Sequence, residues 1–114
     1  MYQVTLPWPP TVNTFYSVNK GRKLISKKGR AYKKEAGYFL KAKGLTGPIA
    51  VEIACNPPDK RKRDLDNILK PLLDVMTENG VYEDDSQINY LLIYKCSEVE
   101  KGTVEIKVRE NENI

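Results

Sequence analysis

Residues 103–109 alternate without interruption: Val104, Ile106 and Val108 on one side, Glu105, Lys107 and Arg109 on the other. A helix cannot separate these residues by polarity, but a strand with one face in a core and one in water does so at every step. A lone strand has no partner for its backbone groups, so this segment obliges the chain to build a sheet. The same rhythm places Ile49, Val51, Ile53 and Cys55 on one face of a second strand. A third, residues 88–96, carries Ile88, Tyr90, Leu92 and Tyr94 on one face and Leu91 and Ile93 on the other. That pattern predicts a central strand buried on both sides. A short strand opens the chain at residues 2–6.

Two stretches between the strands have helical spacing. Tyr32, Ala36, Phe39 and Leu40 predict core positions of a helix capped near Ser26 and stopped by Gly44. A second helix runs from somewhere in residues 64–70 to Glu78 and closes at Asn79-Gly80. Pro71 would clash with the carbonyl of Asn67, so this helix is expected to begin late, near residues 68–70, with Asp66 or Asn67 as its cap. The "LPWPP" segment is stiff and extended, residues 19–29 read as a polar basic loop, and residues 110–114 as a frayed tail. The expected architecture is one small α/β (α+β) domain, residues 1–114, in the order β-α-β-α-β-β. Its mixed sheet ends in a C-terminal hairpin, with the helices packed on the sheet.

Charge is distributed unevenly. Residues 1–34 hold eight Lys or Arg and no acid, whereas residues 72–114 hold ten acids and four bases. A basic half of this kind favours a polyanion, and nucleic acid is the commonest. A membrane partner is not expected, because the cations are broken up by glycines and no apolar run approaches spanning length. A cytoplasmic location is expected, since no signal-peptide pattern is present. The chain has no histidine, which removes most zinc sites and His-dependent nucleophile pairs. Cys55 and Cys96 fall in strand-like runs and read as buried thiols.

Within this frame one stretch is chemically odd. "PPDKRKRDLDNILK" gathers Lys60, Arg61, Lys62 and Arg63, then interrupts them with Asp64 and Asp66, and places Lys70 four residues past the second acid. Carboxylates two apart share a face only where the backbone is extended. A capping acid beside a surface acid is the plain reading of such a pair. A second acidic cluster, Glu83-Asp84-Asp85, follows the second helix. Oxygen ligands without His or Cys suit Mg²⁺, which binds through a few carboxylates, waters and a substrate phosphate. Cations on the phosphate backbone and acids on a metal at the scissile phosphate would reconcile the two charges.

At these residues the sequence resembles the RusA-type Holliday junction resolvases. "TLPWPPTVNTFY", "PDKRKRDLDNILK" and "GVYEDDSQI" are similar, in that order, to the three signature blocks of the family. The resemblance implies a homodimer that resolves four-way (Holliday) DNA junctions with Mg²⁺, with Mn²⁺ as a substitute. It implies catalytic, metal-binding acids at Asp64, Asp66 and Asp85, with Asp84 as an alternative to Asp85, and an essential Lys70. Arg61 and Arg63 match basic positions tied to junction binding, and Asn67 is a supporting position. Lys60 and Lys62, together with the basic residues from Lys20 to Lys34, Lys27, Lys28 and Arg30 among them, are expected on the DNA surface. Asn13 is expected either to fix its loop by an Asx turn or to touch phosphate, and Trp8 and Tyr16 either to anchor the core or to stack on an unpaired base. Asp74 is expected to form a structural ion pair with Lys70. Two other readings stand beside this one: a nuclease for flaps or forks, and a non-catalytic DNA-binding module.

Overall fold

The computed structural model describes residues 1–112; the end of the expected tail, residues 113–114, lies outside them. The order is β1 (Tyr2–Pro7), α1 (Val12–Phe15), β2 (Tyr16–Asn19), β3 (Arg22–Ile25), α2 (Lys27–Gly37), β4 (Ile49–Asn56), α3 (Asp66–Glu78), a 3-10 turn (Asp85–Gln87), β5 (Ile88–Lys95) and β6 (Thr103–Glu110). The main sheet is mixed, with strand order β1-β6-β4-β5, and β2 and β3 form a separate two-stranded ribbon. This is a small α+β domain.

The C-terminal hairpin is not formed. β6 pairs antiparallel with both β1 and β4, while β5 pairs in parallel with β4. The cause lies in residues 96–102. Gly102 donates its N–H to the Asn56 carbonyl, and the Asn56 amide donates to the carbonyl of Val99, which is buried. These bonds carry the chain past the end of β4 instead of turning it back on β5. The parallel β4–β5 pair requires a crossover, and α3 supplies it. β5 is therefore an edge strand and not the expected central one, and Tyr90, Leu91, Leu92 and Tyr94 are each 38–45% exposed.

The helices cover one face of the sheet. That face presents Tyr2, Val4 and Leu6 from β1, Ile49, Val51, Ile53 and Cys55 from β4, and Val104, Ile106 and Val108 from β6. Against it pack Phe15, Tyr32 and Ala36, and from α3 and its exit Ile68, Leu72, Val75, Met76 and Tyr82. The Tyr32 hydroxyl donates to the Pro7 carbonyl at 2.7 Å and ties α2 to the end of β1. Cys55 is a buried free thiol, pushed up to about 11 by its burial, and Cys96 is half-buried and also free. No helix among the described residues is long and apolar enough to cross a membrane.

Two helix boundaries differ from expectation. α2 is capped by Ser26, whose Oγ accepts from Gly29 N–H at 3.0 Å, but it ends at Gly37 and not near Lys43. Its last carbonyls are taken by Tyr38, Phe39 and Leu40 in a tight turn, so Leu40 stays buried while Phe39 is half exposed. α3 begins at Asp66 despite Pro71. Its first turn is closed by Asn67 N–H to Asp64 O and Ile68 N–H to Leu65 O, without a side-chain cap from Asp66 or Asn67. Pro71 sits early in α3, where the missing N–H affects only the Asn67 carbonyl, and its ring is buried against the core. The expected basic loop at residues 19–29 holds the turn of the ribbon, the strand β3 and the start of α2.

Candidate active site

The acids singled out in the sequence, with Lys70 and the cations of residues 60–63, lie on α3 and in the loops at its two ends. Asp64 lies just before the helix and Asp66 in its first turn, both exposed. An acid in a first turn is favoured by the helix dipole, so Asp66 fits its place even without a cap bond. Asn67 is half-buried beside it. Lys70 lies one turn further on, and its ammonium stands 2.9 Å from Asp74 Oδ1 and 3.7 Å from Asp85 Oδ2. A lysine from mid-helix thus joins an acid of its own helix to an acid of the 3-10 turn that leads into β5.

The geometry separates Asp84 from Asp85. The Asp84 carboxylate accepts the Ser86 hydroxyl, and Gln87 accepts the N–H groups of Glu83 and Asp84 at 2.8 Å each. Gln87 also donates to the carbonyls of Leu45 and Gly47, which pins the turn. Asp84 is occupied in shaping the turn, and Asp85 is the acid presented to Lys70. The Asp74 carboxyl is pushed up to about 6, first by burial and then by Asp85 and Glu78. Asp74 belongs to this site as well, which the sequence reading passed over by treating it as a helix pair alone. Its spacing from Lys70 was the available signal; the approach of Asp85 was not legible.

Among the described residues no three Asp, Glu or Cys side chains stand close enough together to hold a metal ion. Asp64, Asp66 and Asp85 are therefore not gathered into one preformed cluster. The donors present are nonetheless carboxylates, the hard ligands that Mg²⁺ accepts one or two at a time while keeping waters. By donor chemistry the residues fit such an ion.

The basic loop before α3 is organised by an acid that sequence reasoning missed. Asp59 accepts Arg61 N–H at 2.9 Å, an Asx turn, and its carboxylate also takes Arg61 Nε at 3.2 Å and both terminal nitrogens of Arg63, at 2.6 and 3.0 Å. These two arginines hold the Asp59 carboxyl well below the usual carboxylate range. The "PPD" turn was the signal for it. Arg63 lies over the Trp8 ring, 5.8 Å from its centre, with its side chain only 16% exposed. Arg63 is thus turned inward, while Lys60, Arg61 and Lys62 face solvent. Trp8 packs against the core, as does Tyr16, whose ring meets Phe15 edge-on at 4.8 Å beneath Lys23. Asn13 lies exposed in α1, outside any Asx turn. Lys27, Lys28 and Arg30 are exposed along the first turns of α2, with Arg30 donating to the Ile25 carbonyl at 2.8 Å.

The family model for Endodeoxyribonuclease RusA matches residues 7–109. The chain belongs to the RusA endodeoxyribonuclease family. A crossover junction endodeoxyribonuclease of Enterobacteria phage 82 is 37% identical, over 98% of this chain and 97% of its own. Crossover junction endodeoxyribonucleases of Escherichia coli K12 and Shigella sonnei are 36% and 37% identical over the same shares. This RusA-family chain is accordingly an enzyme of the nuclease class.

Proposed function

We propose that this chain is a Mg²⁺-dependent endonuclease that resolves four-way DNA junctions by paired, symmetric cuts. The observation that carries the proposal is the Lys70 ammonium held between Asp74 and Asp85 on the helix that also bears Asp66, in a chain of the RusA family. Asp64, Asp66 and Asp85 would hold the ion. When bound, Mg²⁺ lowers the pKa of a coordinated water and offsets charge on the phosphate. Lys70 is placed to donate to an oxygen on which charge develops. Asp74 keeps its ammonium aimed at that position. Lys60, Arg61 and Lys62 take the flanking phosphates, and Asp59 fixes the loop that presents them.

A four-way junction is approximately two-fold symmetric, and this chain offers one Lys70–Asp85 site. Two matched cuts call for a homodimer. The β5 edge supports one: Tyr90, Leu92 and Tyr94 stand exposed in a row on the sheet face that no helix covers. An exposed, apolar edge strand is a surface that proteins normally cover. An intracellular enzyme acting on branched DNA belongs in the cytoplasm.

The test is cleavage of an end-labelled four-way junction by purified protein in Mg²⁺ or EDTA, with Asp66→Asn alongside. Linear duplex and flap substrates serve as competitors. Paired nicks that need Mg²⁺ and vanish in the variant, while junction binding persists, are expected. Binding without cleavage under Mg²⁺ or Mn²⁺ would sink the catalytic reading. Faster cutting of flaps would reassign the substrate.

A further inference from the structure

The β2–β3 ribbon contributes nothing to the Lys70 site, yet it carries three cations and no acid. It stands apart from the main sheet, and only its root, Tyr16 and Ile25, packs on the core. Beyond the root every residue is exposed. Lys20, Arg22 and Lys23 lie on it without any acid, and among the described residues neither Lys20 nor Arg22 has an ion-pair partner. Val18 is 77% exposed and Leu24 42%. Val18 pairs with Lys23, and Leu24 with Ser17, so the two apolar side chains stand on opposite faces.

The tip adds an independent observation. Asn19 pairs with Arg22 across a two-residue loop, and both loop residues have positive φ, 53° at Lys20 and 76° at Gly21. This is a type I′ turn, whose first position favours Asn, Asp or Gly. Lysine there is strained, and the strain gains no burial, because Lys20 is exposed and a Cβ on neighbouring Gly21 would meet nothing within 4 Å. The chain keeps a cation at the end of the ribbon where a better turn former would fit.

Between the ribbon and α2 runs a groove of about 760 Å³ carrying Lys23, Lys27, Arg30 and Lys33. Lys33 also pairs with Glu78, two helical turns beyond Lys70 on α3. The cationic groove therefore leads from the ribbon to the helix that bears the site.

We propose that the ribbon is a DNA arm that enters a groove of the duplex next to the cut. A B-form major groove admits a two-stranded ribbon. Lys20 and Arg22 meet the phosphates at its walls, Val18 lies against the base edges, and the flanking strand follows the cationic groove towards α3. The proposal rests on reading the chain as a DNA enzyme.

The experiment measures junction binding by fluorescence anisotropy in EDTA, from 50 to 200 mM salt, for wild type, Lys20→Asn/Arg22→Gln and Val18→Ser. Losing two phosphate contacts lowers the log–log salt slope by about 1.8, so wild type should lose roughly tenfold more affinity than the double variant across that range. Val18→Ser should weaken binding severalfold without changing the slope. Lys20→Asn/Arg22→Gln should melt at or above the wild-type temperature, since both residues are exposed and Asn suits the turn, so its weaker binding cannot come from unfolding. Variants that bind like wild type, with the same slope, overturn the arm. Since no cleavage is needed, wild type that binds but cuts nothing sinks the enzymatic reading and leaves the arm testable. Wild type that cuts, with variants binding normally, sinks the arm alone.

Discussion

Replacing Asp74 by asparagine should stabilise the fold at neutral pH, although it removes an ion pair. Asp74 lies 2.9 Å from Lys70, which by itself would hold its carboxyl low. Its carboxyl instead rises from 3.8 to about 6, because burial, Asp85 and Glu78 together outweigh a lysine whose side chain is 51% exposed. Nearby Tyr82 agrees, its hydroxyl pushed up to about 12 mainly by burial, with Asp85, Asp74 and Asp84 adding to it. A rise of that size sets a ceiling of ~3 kcal/mol on the penalty for the charged form. The Asp74 side chain is 29% exposed and Asp85 36%, so water screens the repulsion and about 1–1.5 kcal/mol is the sounder figure. The lost helix pair returns ~0.3–0.5 kcal/mol of that. Asp74→Asn should therefore gain about 1 kcal/mol at pH 7.5, a melting shift of roughly 4 °C. The sign follows from proton linkage. The native carboxyl holds its proton more tightly than the unfolded one, so wild type loses stability as pH rises from about 4 to 6, and an amide at this position removes that contribution. Urea unfolding in EDTA at pH 4, 5, 6 and 7.5 measures it. A variant less stable than wild type at pH 7.5, or one that leaves the pH dependence unchanged, would refute the reasoning. Its junction cleavage should nonetheless fall, because Lys70 would lose the partner that aims it.

Three further outcomes follow from particular contacts. Gly29→Ala would drive a Cβ into the Phe15 carbonyl and to 2.8 Å from Ile25 Cγ2; urea unfolding should show a loss of ~2 kcal/mol or more, since backbone cannot yield as a side chain does. Tyr32→Phe leaves the Pro7 carbonyl without its donor and should cost ~1–2 kcal/mol in the same assay. On the homodimer proposed above, Leu92→Lys on the exposed β5 should leave the melting temperature near wild type yet shift the sedimenting species from dimer to monomer; a variant that stays dimeric moves the interface elsewhere, and a monomeric wild type refutes the dimer.

Much of the fold was legible because it follows local rules. Period two in β4 and β6 identified the buried face residue by residue, and Ser26 announced the start of α2. The pairing order was not legible, because it depends on where a connection goes. Residues 96–102 read as a turn until Asn56 and Gly102 are seen holding them across the end of β4. β5 misled for a related reason. Apolar residues on both of its faces imply cover, but the sequence does not say that the main sheet stops there. Pro71 misled through too strict a rule, since a proline early in a helix costs a bond at only one carbonyl. In the site, spacing gave Lys70 and Asp74, whereas the meeting of Lys70 with Asp85 depends on the return of α3 to the sheet.

The charges explain why cations and acids are interleaved in this chain. Around Lys70 stand Asp74 and Asp85, with Glu78 a turn further along α3. One ammonium against two carboxylates, with Glu78 already paired to Lys33, leaves the centre negative, and a phosphate there would be repelled. Lys60, Arg61 and Lys62 lie just outside, and Asp59 restrains Arg61 and Arg63 so that the loop is ordered before any ligand arrives. A negative centre with a positive rim attracts a DNA backbone in general but admits a phosphate to the centre only together with a cation. On the Mg²⁺ reading proposed above, affinity and turnover should therefore separate. Neutralising a rim lysine such as Lys62 should cost affinity and salt slope. Neutralising a central acid should cost turnover while holding or tightening binding in EDTA, because it relieves repulsion that nothing else offsets.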